Sequence, residues 1–242
     1  MIVITTCNSR QWEARGLTTW LPSFSKIFPP QNLIVYHENS FDSVPIAADK
    51  MLPTASYFDL FEADSELKTI VSRPEYEEIK KTRSRYQKHR KYHCFNAQFW
   101  FRKIAAIRQA VKLGSNFCWT DIDVVAKSRF LNRVEGLSAV NDICYIDRSG
   151  NPRKVVTDTG FIIFRKSPAV VEFIEAWYDV YRSGKVFSMP YWADHYMFDE
   201  TVKAFANLRF YKLPDARTRM SMVYHRRGHK EMARIRLPDV HV

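Results

Sequence analysis

Short apolar runs alternate along this chain with longer stretches of helical spacing. Ile2 to Thr6 is apolar and β-branched and ends in the loop-forming Cys7-Asn8-Ser9, which predicts a buried strand. From about Gln11 to Ile27, the positions of Trp12, Leu17, Trp20, Leu21 and Phe24 predict a helix, with a kink or break at Pro22. Leu33-Ile34-Val35-Tyr36 predicts a second strand, and strand, helix, strand in that order indicates a parallel α/β sheet. Residues 41 to 70 carry no strong period and are expected to be loop with short elements. Trp100, Ile104, Ile107 and Val111 share one face of a helix that Gly114 should end. A short apolar strand, Phe117-Cys118-Trp119-Thr120, then runs directly into Asp121-Ile122-Asp123.

Further strands are expected from Ile143 to Ile146, Gly160 to Phe164 and Leu208 to Tyr211. Ser167-Pro168 starts a helix whose buried face is Val170, Ile174, Trp177 and Tyr181, and Gly184 stops it. Another helix is expected from Asp194 to Ala206. The alternation persists to the end, so residues 1–242 are expected to form one domain.

Composition supports that picture. A chain of 242 residues, 46% hydrophobic, with only 7 glycines and no low-complexity tract, can bury one sizeable core. No apolar run approaches the length of a membrane span. Met1-Ile2-Val3-Ile4 lacks the basic flank and cleavage site of a signal peptide. Cys7, Cys94, Cys118 and Cys144 are widely spaced and read as buried thiols of a reducing compartment, so a cytoplasmic location is expected. The formal net charge of +11 attracts anions: nucleic acid, acidic headgroups, anionic glycans or nucleotide diphosphates. Much of it lies between Arg73 and Lys91, in a solvated helix or loop, or in a flap that contacts an anionic ligand. Lys80, Lys81, Arg83 and Arg85 there could hold the protein peripherally at an anionic membrane.

The chemistry concentrates after the strand that ends at Thr120. Side chains at the carboxyl end of a strand in an open α/β sheet project into the crevice where ligands bind. Two aspartates two apart in an extended segment share a face and can address one hard cation such as Mg²⁺ or Mn²⁺. Asp-x-Asp is short enough to arise by chance, so its place at a strand exit carries the weight. Near the C-terminus stands His225-Arg226-Arg227-Gly228-His229-Lys230. There a histidine can ligate the same metal, a glycine lets backbone approach phosphate, and a lysine neutralises phosphate oxygens.

This combination resembles the GT-A glycosyltransferases, especially the metal-dependent, mostly retaining families that include glycogenin-like, viral and bacterial relatives. Those families pair Asp-x-Asp with His-x-x-Gly-x-x-Lys, and here one residue fewer precedes Lys230. The resemblance implies a Rossmann-like α/β domain, with a central mostly parallel sheet flanked by helices. Its N-terminal half would bind the nucleotide and its C-terminal half the acceptor. It implies a metal held by Asp121, Asp123 and His225, and a nucleoside-diphosphate sugar, a UDP-sugar favoured, near Arg102, Lys103, Asp121, Gly228 and Lys230. Thr157-Asp158-Thr159-Gly160-Phe161 resembles the element beside the donor sugar, with Asp158 in place of asparagine. Trp192-Ala193-Asp194-His195 resembles the element whose acidic residue lies near the reacting carbon. Fold position alone carries Thr5, Thr6 and Asn8 over to the base and ribose.

The implied reaction moves a sugar to a hydroxyl of a glycan, glycolipid or protein-linked acceptor. If the outcome is inversion, Asp194 is the candidate base; if retention, it stabilises an oxocarbenium-like centre or the diphosphate takes the proton. As non-ligand alternatives, Asp158 caps a turn and Asp194 caps a helix. Two other classes compete. An apolar strand before Asp-x-Asp-Val-Val also resembles the first motif of haloacid-dehalogenase phosphohydrolases, although about 120 residues precede it here. A nucleic-acid-binding module could use the basic, tyrosine-bearing stretch, but no nucleic-acid motif accompanies it, and no nucleic-acid partner is expected.

Overall fold

A computed structural model describes residues 1–39, 46, 55–81, 97–126, 130–148, 157–213 and 223–225. Seven strands form one sheet in the order β3-β2-β1-β4-β7-β6-β8. They are β1 (Ile2–Cys7), β2 (Leu33–His37), β3 (Ser56–Asp59), β4 (Phe117–Thr120), β6 (Ile143–Asp147), β7 (Thr157–Phe164) and β8 (Phe210–Leu213). Neighbours are parallel except on either side of β7, which runs against both β4 and β6. A separate antiparallel pair joins β5 (Val124–Ala126) to β9 (Val223–His225).

The sheet is covered on both faces, which is why its central strands are apolar without alternation. Ile4, Ile34, Trp119, Ile143 and Ile162 face the helices Ala97–Val111, Pro168–Arg182 and Asp194–Ala204. Val3, Val35, Cys118, Cys144 and Ile163 face the other way, onto Trp12, Trp20, Phe24 and Val134. Cys7, Cys118 and Cys144 are buried free thiols, as expected; Cys94 lies outside the described residues. Among the described residues, no helix is long and apolar enough to cross a membrane.

Most predicted elements are present. Ser167 caps Pro168–Arg182, accepting from the Val170 N–H at 3.2 Å, and Val170, Ile174, Trp177 and Tyr181 are buried. Gly114 and Gly184 follow their helices at φ 77° and 80°, a backbone region that other residues rarely adopt.

Several differences are informative. Pro22 does not break the first helical run. An α-turn at Ser9–Gln11 leads into a π-helix at Trp12–Trp20 and returns to α at Leu21–Phe24. Pro22 falls at that return, where the hydrogen-bond register changes and a missing donor costs little. β3 lies in the stretch expected to be loop. It is a four-residue edge strand with a mixed burial pattern, and Phe58 is 42% exposed, so it leaves no clear period. β7 begins at Thr157, three residues earlier than expected, and all eight of its residues are buried. Its first three are polar and cluster with other polar groups, which hydrophobic patterning does not register. β8 also starts two residues later than expected, at Phe210, and the helix from Asp194 ends at Ala204.

Candidate active site where parallel strands end and β7 begins

Because β7 is reversed, its N-terminal residues lie at the sheet end where β1, β2 and β4 finish. The Asp121 N–H donates to the Gly160 carbonyl at 2.8 Å, so the exit of β4 is pinned to the start of β7. Between the β6–β7 pairs Tyr145–Ile162 and Ile146–Asp158 the register jumps, and Thr159, Gly160 and Phe161 bulge out of the β6 ladder. Bulges re-aim side chains, and here Thr159 turns to Asp194.

Asp121 and Asp123 do not lie in an extended segment. The Val124 N–H donates to the Asp121 carbonyl at 3.0 Å, closing a turn that reverses the chain into β5. The same-face argument for the pair therefore fails. Their carboxylates meet different cations.

Asp121 meets Lys103. The lysine Nζ lies 2.9 Å from Asp121 Oδ1 and 2.5 Å from Asp194 Oδ2, and donates to the Thr159 carbonyl at 3.2 Å. Trp119 Nε1 donates to Asp121 Oδ1 at 3.1 Å, and the Lys103 ammonium stands 5.6 Å from the centre of the Trp119 ring. Asp194 Oδ2 also accepts from Thr159 Oγ1 at 2.6 Å. Burial favours neutral Lys103, but the Asp121 and Asp194 carboxylates outweigh it and raise the lysine pKa. Burial likewise pushes the Asp194 carboxyl up, and Lys103 and His195 more than reverse that, holding it well below the usual carboxylate range. Asp194 is the first residue of its helix, where the dipole favours an anion. It is not the cap: that position is Ala193, and no side chain caps this end.

Asp123 meets Arg15 of the π-helix, with Nη1 to Oδ2 at 3.1 Å. The β5–β9 register sets His225 opposite Val124, one residue from Asp123. Among the described residues, no group of three His, Cys, Asp or Glu side chains is set to hold a metal ion. Carboxylate oxygen and imidazole nitrogen are donor types that Mn²⁺ accepts, and the β5–β9 register puts the His225 backbone beside the turn that carries Asp121 and Asp123. Gly228 and Lys230 lie outside the described residues.

The remaining candidates have separate surroundings. Arg102 turns away from Lys103 and pairs with buried Glu38, just beyond β2, at 2.5 Å, with the guanidinium over the Phe61 and Phe99 rings. Asp158 pairs with Arg148 and accepts the Gly160 N–H at 2.9 Å, so it braces the bulge from within the strand. Thr6 Oγ1 donates to the Tyr36 carbonyl at 2.7 Å, and Asn8 forms a capping box with Gln11. Thr5 is buried, and its hydroxyl has no hydrogen-bond partner among the described residues.

The model of the nucleotide-diphospho-sugar transferase family matches residues 63–226, more than half of the chain and including Lys103, both turn aspartates, Asp194 and His225. The chain belongs to that family. Solved structures agree on the GT-A fold. Mouse xyloside xylosyltransferase 1 in its apo form superposes with TM-score 0.53 at 13% identity, over 95% of this chain and 98% of that one. A glycosyltransferase involved in glycosylating the major capsid of PBCV-1 gives 0.50 at 11% identity, over 96% of both chains. The bifunctional glycosyltransferase WbbM gives 0.55 at 11% identity, over 94% of this chain and 46% of that one. A search of curated proteins returned no match. This nucleotide-diphospho-sugar transferase is thus an enzyme of sugar transfer, and the phosphohydrolase reading of the strand-exit aspartates is set aside.

Sequence reasoning missed several residues of the transferase's site. Trp119, immediately before the strand exit, was legible as an indole with a donor to satisfy. Arg15, Glu38 and Arg148 had no signal, because each acquires its partner only through the fold.

Proposed function

We propose that this transferase moves a sugar from a nucleoside-diphosphate donor, a UDP-sugar favoured, to an acceptor hydroxyl with retained configuration. A divalent cation held by Asp121, Asp123 and His225 would assist it. The pairing of β5 with β9 carries this reading, because it brings into register two segments a hundred residues apart. When bound, the cation supplies Lewis-acid neutralisation of the leaving diphosphate.

The chain's own residues contribute the rest. Lys103 keeps Asp194 ionised and, bonded to both carboxylates, fixes the orientation of Asp121 and Asp194. Asp194 is a poor general base: a base must be able to take a proton near working pH, and this carboxylate is held well below that range by Lys103 and His195 and hydrogen-bonded by Thr159. A fixed negative charge instead stabilises positive charge developing at the sugar carbon. That favours retention, with the leaving diphosphate taking the acceptor's proton. Asp158 braces the bulge that aims Thr159. Thr5, within the second half of β1, is suited to the base or ribose; Gly228 and Lys230 would reach the diphosphate. The acceptor is a glycan, glycolipid or protein-linked sugar, and a peripheral membrane contact through Lys80, Lys81, Arg83 and Arg85 would suit a glycolipid.

Nucleotide-sugars should bind and hydrolyse slowly only with Mn²⁺ or Mg²⁺ present. Asp123→Ala should lower transfer about 10²-fold, roughly 2.7 kcal/mol of transition-state stabilisation. Near-normal transfer by that variant in metal-containing buffer would refute the metal role, and an inverted anomeric proton signal in the product would refute retention.

A further inference from the structure

The first helical run holds the aspartate turn at three points. Trp20 Nε1 donates to Thr120 Oγ1 at 2.6 Å, just before the turn. The Ala126 N–H donates to Ser23 Oγ at 3.3 Å, just after it. Between these anchors Arg15 reaches Asp123. The winding that brings Arg15 there depends on the adjacent Gly16: a Cβ at that position would lie 2.2 Å from Trp12 Cε3, so the indole packs where only glycine leaves room. π-Helical segments recur at functional sites, and this one spans Trp12–Trp20.

Each turn aspartate therefore carries a cation from the chain itself, and the two cations differ in permanence. The Lys103 side chain is 9% exposed and bonded to two carboxylates and to Thr159. The Arg15 side chain is 46% exposed, and its pair with Asp123 is open to water. Pairs of that kind are weak and screened by salt.

We propose that Arg15 is a built-in counter-cation that sets the affinity of Asp123 for a divalent ion. The guanidinium holds the carboxylate in place, and an incoming ion must displace it and then tolerate its charge nearby. This rests on the reading of the aspartate turn as an ion site. Lys103 does not exchange in this way, because its departure would strand the buried Asp194 carboxylate as well as the partly buried Asp121.

The test is Mn²⁺ binding without nucleotide, followed by the paramagnetic resonance signal of free ion, with a circular dichroism melt to check folding. Arg15→Gln should bind Mn²⁺ roughly two- to fivefold more tightly than the native chain, the size expected when a partly exposed ion pair no longer competes. Arg15→Ala should shift the same way, and Arg15→Lys should stay near the native value. Equal or weaker binding by folded Arg15→Gln and Arg15→Ala, with Asp123→Ala still losing the ion, overturns the role of Arg15 and leaves the ion site standing. Native binding no tighter than that of Asp123→Ala overturns the site, and this proposal with it.

Discussion

Arg102 and Lys103 are consecutive, both are buried, and each neutralises a carboxylate, yet the energetics differ in sign. Lys103 faces two carboxylates, and attraction outweighs burial: Asp194 is held well below the usual range and the lysine above its own. Arg102 pairs with the Glu38 carboxylate. Burial pushes that carboxyl up, and the guanidinium recovers only part of the penalty. A buried ion pair is therefore not stabilising in itself; a second opposite charge changes the balance.

Lys103→Met breaks the comparison most severely. It leaves Asp121 and Asp194 without their cation, and a loss of about 3–5 kcal/mol is expected from the denaturant midpoint. A loss under 1 kcal/mol would mean that the carboxylates find water or another cation. Arg102→Met should cost less, about 2 kcal/mol at neutral pH, because Glu38 can take up a proton in compensation. Replacing both Glu38 and Arg102 by Met should fall within about 1 kcal/mol of the native chain, since neither charge is then buried. A large loss in the double variant would show that this pair is as favourable as the Lys103 cluster.

The pH dependence sharpens the contrast with the smallest effect. Glu38 binds its proton more tightly in the folded chain than in the unfolded one, so its share of stability falls as pH rises from about 4.3 through its folded pKa. The Asp194 contribution is present above about 3.9 and is lost as pH falls through the folded value; that of Lys103 is present below about 10.4 and lost as pH rises through its own. Between pH 4.5 and 7 the double Met variant should therefore gain stability relative to the native chain, by about 1 kcal/mol or less. A flat difference would remove the assigned sign from Glu38.

The strands next to the site were legible because burial on both faces writes itself as a continuous apolar run. Phe117 to Thr120 is the clearest case, and it located the exit at Asp121. The polar start of β7 and the half-exposed β3 were not legible, because their residues answer to partners and not to a period. The same holds within the site. Asp121, Asp194 and Lys103 stood out by residue type and position, whereas their convergence through Thr159 depends on a register jump that no local pattern encodes.

Hydrophobic spacing by itself determined the alternation of strands and helices, the class of sheet and the strand exit where charge gathers, since each follows from interactions within a few residues. Only the tertiary structure decided that the two aspartates meet different cations, that Lys103 and Arg102 part company, and that Arg15 reaches Asp123. Those outcomes depend on contacts across 18 to 108 positions of chain. At such separations the approach of two charges is set by how the sheet and helices pack, and not by the residues that lie between them.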